Sequence, residues 1–578
     1  MNKQLLAWPL CLRFVLAISG LFWHACPGGA SLADETIDTA DCVTTDRDEK
    51  PAGDGKTLRV FIFAGQSNMV GSHSRVADIM RFPPFAGLDK PQANVLFSYK
   101  IGREQMLTSD GWTALQPTTD YFGPELSFGK IVSQNVEDPI AIIKIASGGT
   151  TLGEDWNPDQ PGGFKLYPLA LEHIRKSLAE LDRKQVAYRL EGFMWHQGEN
   201  DMFSKVFKPI YAENLKNFIA SWRRDLNAPQ LRFYIGELCT KTIWGMDNRD
   251  NMLAIRTAQK AVTAADPLTQ YIPTSHDAVE IGGDGGLHYH YGTLGQLEHG
   301  ANYAEAYLKI LGKPQPSRQP LKTWPYASQS KVKLFVMAGH RNMEGERAFT
   351  AELKQLAGHE ALAKYNREIA FKYDIGGGFR KSAGWEPLGP AGPYGTFGPE
   401  LSFAAAVKAS VPGQIAIAKF THSGSQMNDW TPEGTSAKDM HMYEKFIAFV
   451  RSAIEELKDK GNEVELAGIF FHAGENESAF NPYRRDAAKW LKSTIAGSRK
   501  DLGIPSLKWY VSQQPPVDSP GLNKTDITGA LEALAAADPA MIHVKAFDLP
   551  PQREKLVLDT PGVVALGERL ARSYTQKP

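Results

Sequence analysis

Residues 59 to 75 read RVFIFAGQSNMVGSHSR, and residues 333 to 349 read KLFVMAGHRNMEGERAF. The likeness continues along the chain. FGPELSF at 122 to 128 returns at 397 to 403, PIAIIKIASGG at 139 to 149 returns as QIAIAKFTHSG at 414 to 424, and LEGFMWHQGEND at 190 to 201 returns as LAGIFFHAGENE at 466 to 477. The offset holds at 274 to 276 residues throughout. Solenoid and propeller units repeat every ~20 to 50 residues, so a period this long describes whole domains. The chain therefore reads as two homologous domains in tandem, and a fold derived for one copy applies to the other.

With 578 residues, 42% of them apolar, there is enough material for two large cores. The net charge of −1 gives no electrostatic footprint for nucleic acid or an anionic membrane. The first 33 residues stand apart: Lys3 and Arg13 precede the apolar run FVLAISGLFW at 14 to 23, and small residues lead to Ser31-Leu32-Ala33. This pattern predicts a signal peptide cleaved near Ala33. The run has about half the ~20 residues that a membrane span needs. Cleavage would leave Cys42 and Cys239, too few for a disulfide-built scaffold; they can form one bridge, or Cys239 can be a buried thiol. The histidines and cysteines lack zinc-ligand spacing.

Residues 34 to 56 are polar and without periodicity, and read as a leader. Residues 313 to 331, KPQPSRQPLKTWPYASQSK, read as a proline-rich linker between domains at 57 to 312 and 332 to 578. In the first copy, LRVFIFAG (58 to 65), IAIIKIAS (140 to 147), EGFMWHQG (191 to 198) and LRFYIGEL (231 to 238) are nearly continuous apolar runs, as in strands buried on both faces. Segments 167 to 182, 211 to 226 and 299 to 311 carry apolar residues at three- and four-residue steps, as amphipathic helices do. The alternation predicts an α/β fold, a mainly parallel sheet with helices on both faces, whose ligands gather at the carboxyl ends of the strands.

Chemistry-bearing residues fall at those ends. Ser67 follows the first strand by two residues, Ser147-Gly148-Gly149-Thr150 follows the second, His196-Gln197-Gly198-Glu199-Asn200-Asp201 follows the third, and Asp284 and His288 sit in a glycine-rich stretch near the domain's end. A serine acts as a nucleophile only with a base to take its proton and donors to receive the oxyanion. Alone, Gly-Gln-Ser-Asn reads equally as a helix cap; the ordered set reads as nucleophile, oxyanion loops, acid and base.

With these motifs together, the first domain resembles the SGNH-type hydrolases, and among them the sialate O-acetylesterase domain group that includes the acetylxylan esterases of carbohydrate esterase family 6. The matching stretches are GQSNM at 65 to 69, GGT at 148 to 150, HQGEND at 196 to 201 and LHY at 287 to 289. The resemblance covers 57 to 312 well and about 332 to 575 in eroded form. It implies a flavodoxin-like three-layer domain, no cofactor, and an acetylated carbohydrate as substrate. It implies Ser67 as nucleophile, His288 as base and then acid, and an oxyanion hole from the N–H groups of Ser67 and Gly149 with the amide of Gln197. Asn200, in the broader G-x-N-D pattern, is the rival amide. The carboxylate that orients the histidine is Glu199 or Asp284.

Other residues carry plainer readings. His196 is expected to be structural, His290 a loop residue and spare base, and His299 a helix-surface residue. Glu125 and Glu400 recur in both copies, which points to structure, and Trp156 and Trp430 are expected to pack. In the second copy Arg341 stands for Ser67, Ala473 for Gln197 and Ser423 for Gly148, and no histidine follows His543. That copy is expected to be inactive. The leading reading is thus an exported carbohydrate O-acetylesterase; the competing one is a noncatalytic glycan-binding or scaffold protein. The sequence does not set the acetylated glycan or the oligomeric state.

Overall fold

Strand β1 (Leu58–Gly65) explains the architecture, because its side chains alternate between two separate cores. Phe61 and Phe63 pack with Phe128, Tyr303 and Tyr307 on one face of the sheet. Val60, Ile62 and Ala64 pack with Ile143, Ile145 and Trp195 on the other. A strand with both faces covered has no reason to alternate polar and apolar residues, which is why it reads as one apolar run. The computed structural model describes residues 56–243, 246–279, 289–314, 318–436, 440–479, 481–513, 524–546, 549 and 557–576. The expected signal peptide, the leader up to residue 55, Cys42, Asp284 and His288 lie outside the described residues.

The first sheet also contains β2 (Gln92–Ile101), β3 (Ile140–Ala146), β4 (Tyr188–His196), β5 (Phe233–Gly236) and β6 (Thr269–Ile272). Their order is β6-β5-β4-β1-β3-β2, all parallel, with two short antiparallel strands on the outer edge of β2. The second domain repeats the plan with β7 (Lys331–Gly339), β8 (Asn366–Ile375), β9 (Gln414–Thr421), β10 (Glu463–His472), β11 (Trp509–Gln513) and β12 (Met541–Lys545). Its order is β12-β11-β10-β7-β9-β8. The chain is therefore two α/β domains with mainly parallel sheets, as the repeat requires. Residues 51–578 form one compact unit.

The strand register locates the site. Gly65 lies opposite Ala146 on one side and His196 on the other, so the three central strands of the first domain end level. Gly339, Thr421 and His472 end level in the same way in the second domain. The segments after these strands therefore meet at one edge in each domain.

Several sequence expectations hold in detail. Helices Leu166–Arg183 and Tyr211–Asp225 fall on the expected periodic segments. Trp156 and Trp430 are fully buried, as packing residues should be. Glu125 and Glu400 each accept a buried lysine, Lys144 at 2.7 Å and Lys419 at 2.8 Å, and each also accepts a backbone N–H at 3.1 Å. They are structural pairs in both copies. The 318–331 stretch is tied to the second domain: Tyr326 is buried, its hydroxyl donates to Ile415 O at 2.5 Å, and it accepts the N–H of Ala370 at 2.8 Å.

One expectation is corrected. The helix expected from 299 runs instead from Gly292 to Ile310, and His299 is wholly buried, not on a surface. Its ring packs against His196, Tyr291 and Tyr303. The outer face of this helix is covered too, because Tyr394 of the second domain reaches Asn302 and Arg380 reaches Glu305 at 3.1 Å. A helix covered on both faces shows no clean amphipathic stripe.

Candidate active site

The turn after β1 exists because Gly65 can adopt φ +151°; a Cβ there would lie 2.1 Å from His196 O. The chain then enters a single helical turn, Ser67–Val70, closed by Gly71 in the left-handed region at φ +101°. Ser67 is the first residue of that turn, so its N–H has no partner within the helix. It is not the cap: Gln66 holds that position, and the Ser67 hydroxyl makes no hydrogen bond among the described residues. The cap explanation of this serine therefore does not describe the structure. Ser67 is half-buried, while Asn68, Met69 and Val70 behind it are buried.

The loop after β3 lies against the serine. A Cβ on Gly148 would sit 3.7 Å from the Ser67 Cβ. Gly149 has φ +71°, and its N–H has no backbone partner among the described residues. The loop is fastened below: Thr150 Oγ1 donates to Ser147 O at 2.9 Å, and Asp201 accepts the N–H groups of Leu152 at 2.8 Å and Gly153 at 3.0 Å. Arg103 stands exposed at the rim, its guanidinium over the Phe164 ring at 4.6 Å and beside Gly149.

Gln197 is engaged internally. It is fully buried, and its Nε2 donates to Gln66 Oε1 at 3.1 Å, Thr150 O at 3.0 Å and Asp201 Oδ2 at 2.5 Å. Two N–H bonds shared among three internal acceptors leave none for an oxyanion. Asn200 is half-buried; its Oδ1 accepts Gln66 Nε2 at 3.2 Å, and its own amide donors make no hydrogen bond among the described residues. The beneficiary of the Gln197 bonds is Asp201. Burial raises that carboxyl to about 6, against the pull of Gln197 and the two backbone donors.

Glu199 is buried, 3.6 Å from His196 Nε2, and its Oε1 accepts Asn68 Nδ2 at 2.7 Å. Burial disfavours its charge, but His196 and the Asn68 amide outweigh burial and hold the carboxyl below its ordinary range. The second carboxylate oxygen, Oε2, has no hydrogen-bond partner among the described residues. Asn68, which no motif argument had singled out, links this carboxylate to the chain following His288: its Nδ2 also donates to Tyr289 O at 3.0 Å, and its Oδ1 accepts the N–H of Tyr291 at 3.3 Å. The residue next to His288 is thereby fixed one side chain away from both Ser67 and Glu199. His196 is fully buried, and neither ring nitrogen has a hydrogen-bond partner among the described residues. His290 faces His73 with 3.2 Å between Nδ1 atoms. Burial and then His73 push it down to about 3, with Glu199 acting the other way. Cys239 has no disulfide partner among the described residues, which do not include Cys42, and burial raises its thiol to about 11.

In the second domain Arg341 occupies the serine position and is buried. The carboxylate survives as Glu475, which accepts the Asn342 N–H at 2.8 Å and lies 3.6 Å from His472. Burial raises Glu475 to about 7, against the pull of His340.

A family model described as carbohydrate esterase, sialic acid-specific acetylesterase matches residues 57–309 and again 331–576. A probable carbohydrate esterase of Arabidopsis thaliana is 29% identical over 112 residues, which cover 19% of this chain and 39% of that protein. The solved structure of an Arabidopsis thaliana protein aligns at 20% identity over 43% of this chain and 98% of its own, with a TM-score of 0.33. A carbohydrate acetylesterase from Xanthomonas citri aligns at 17% identity over 46% of this chain and 59% of its own, with a TM-score of 0.32.

Proposed function

This chain belongs to the carbohydrate esterase, sialic acid-specific acetylesterase family, and on that premise we propose that its first domain is an exported serine esterase that removes O-acetyl groups from carbohydrates. The observation that carries the reading is Ser67: a half-buried serine whose hydroxyl has no partner among the described residues, set where three strand ends meet, between the Gly148-Gly149 loop and the Asn68–Glu199 pair.

Ser67 Oγ attacks the acetyl carbonyl carbon while His288 takes its proton. The oxyanion is received by the N–H groups of Ser67 and Gly149 and by the amide of Asn200, favoured over Gln197 because its donors make no hydrogen bond among the described residues. Collapse expels the sugar oxygen, which takes the proton from His288, and leaves acetyl-Ser67. Water, deprotonated by His288, attacks the acetyl carbon and releases acetate. Glu199 orients the histidine side of the site through Asn68 and Tyr289, with Asp284 as the other carboxylate on the His288 loop. No step calls for a cofactor.

The test is acetate release from acetylated xylan and from 4-nitrophenyl acetate by residues 34 to 578, beside Ser67→Ala. Release that the serine variant loses supports the esterase. Release no greater than that of the variant, on both substrates, favours the noncatalytic glycan-binding reading.

A further inference from the structure

The cleft of the second domain, where its own substrate would enter, is filled by the first domain. The filling segment is the stretch from Thr274 to Val279, which in sequence precedes Asp284 and His288. Arg341, at the position of the nucleophile, donates from Nη2 to Val279 O at 2.5 Å. Ser423, at the position of Gly148, donates from Oγ to His276 O at 2.9 Å. Gly424, at the position of Gly149, lets the backbone of Ser275 approach so closely that a Cβ would lie 2.3 Å from Ser275 O. Phe379, in the loop after β8, stacks on the His276 ring at 3.5 Å and 18°. The first domain braces the same stretch from behind. Glu237 accepts the N–H groups of Thr274 at 2.8 Å and Ser275 at 2.9 Å, Glu298 accepts that of Ala278 at 2.6 Å, and Asn302 donates to Asp277 at 2.8 Å.

We propose that the second domain is a socket for the stem of the first domain's histidine loop, and that Arg341 is a positioning residue for the esterase reaction. The proposal rests on the esterase reading for its catalytic consequence, but not for the docking itself. Four residues of the cleft, on three elements, meet one six-residue segment, and the side chains that stand in place of Ser67 and Gly148 supply donors that hold it. A guanidinium on a backbone carbonyl is a charge-assisted hydrogen bond, here out of water, so it fixes the position of that carbonyl more firmly than a neutral donor would. A base held by a stem fixed on both sides pays less ordering cost when substrate binds.

The experiment compares the full chain with Arg341→Met, which keeps the volume and removes the donors, Arg341→Lys, which restores one donor, and Gly424→Ala, which wedges the stem away. Two readouts are taken: amide hydrogen exchange in the peptide spanning 274 to 279, and kcat and KM for 4-nitrophenyl acetate. Exchange in the helix Met442–Asp459, which contributes none of the socket contacts named above, reports intact folding. In Arg341→Met and Gly424→Ala, stem exchange rises about tenfold or more and kcat falls about tenfold with KM unchanged, while Arg341→Lys recovers most of both. Unchanged stem exchange in both variants overturns the socket. Faster stem exchange with unchanged kcat overturns the positioning role. If the wild-type chain hydrolyses no ester, the esterase reading fails, and stem exchange alone decides the socket.

Discussion

Replacing Asn200 and Gln197 one at a time separates the two amides that the motif HQGEND offers for the oxyanion. Asn200 is half-buried and gives up one hydrogen bond, from Gln66 at 3.2 Å, when cut to alanine. A single neutral hydrogen bond contributes about 1 kcal/mol, so Asn200→Ala should melt within about 4 °C of wild type. Losing one side-chain donor to the oxyanion costs kcat about 10²- to 10³-fold, equivalent to about 3 to 4 kcal/mol. Gln197 presents the reverse case. Its amide serves Gln66, Thr150 O and Asp201, all buried, and its removal leaves Asp201 with only the two backbone donors from Leu152 and Gly153. Breaking such a network costs about 3 kcal/mol, so Gln197→Ala should lower Tm by about 6 to 12 °C in a domain of this size. Its kcat should fall less than that of Asn200→Ala when measured well below its melting point. Both enzymes are assayed on 4-nitrophenyl acetate and melted by circular dichroism. If Gln197→Ala loses kcat a hundredfold at an unchanged Tm while Asn200→Ala stays active, the hydrogen-bond argument is refuted and Gln197 is the oxyanion donor.

Three further outcomes follow from the same geometry. Ser67→Ala should abolish acetate release with Tm within about 2 °C of wild type, because the hydroxyl bonds to nothing among the described residues; a large loss of stability would show that Ser67 is a structural residue. Lys144→Met should cost about 3 to 5 kcal/mol by leaving Glu125 buried and unpaired, and Glu125→Leu on top of it should recover stability instead of adding to the loss; additive losses in urea unfolding would show that the pair is not coupled. Glu475 has a folded value of about 7 against an ordinary 4.5, so its contribution is present below 4.5 and is lost as pH rises through 7. Glu475→Gln imitates the protonated form and can still accept the Asn342 N–H. Its Tm advantage over wild type should therefore grow between pH 5 and 8, toward a gain on the order of 3 kcal/mol; a difference flat across that range would contradict the raised value.

The strands were legible because burial on both faces leaves an unmistakable signature, and β1 falls on the residues expected from its apolar run. Lys144 and Lys419 are the exceptions inside such runs. Each is tolerated only because a glutamate nineteen residues earlier in the chain returns to meet it, and that partnership has no local pattern. His299 was misplaced for a related reason. Periodicity reports one buried face, whereas the helix Gly292–Ile310 is buried all round from 292 to 304 and meets the second domain at Asn302 and Glu305. Gln197 and Asn200 lie three residues apart in one motif, and only the hydrogen bonds tell which amide is spent internally.

The differences between the two copies acquire a direction once the fold is known. Positions that hold each domain together keep their chemistry: the Glu125–Lys144 pair reappears as Glu400–Lys419, Trp156 as Trp430, and the tie from Asp201 to the Leu152 N–H as one from Glu477 to the Met427 N–H at 2.7 Å. Among the positions proposed to meet substrate, Ser67 becomes Arg341 while Gly149 and Asn200 persist as Gly424 and Asn476; Arg341, and Ser423 in place of Gly148, both donate to carbonyl oxygens of the first domain. Decay of an unused site would scatter small or arbitrary residues through the cleft and leave it open to water. A cleft whose substituted side chains converge on one segment of its neighbour, with Gly424 kept free of a Cβ where that segment passes, has the form of an interface. A buried arginine at the serine position is costly unless it is paired; Glu346, 3.4 Å from its Nε, pairs the charge within the second domain, and Val279 O accepts one of its donors. On the proposed reading, the side chains that stand in place of Ser67 and Gly148 in the second domain are the ones that hold the stem of the first.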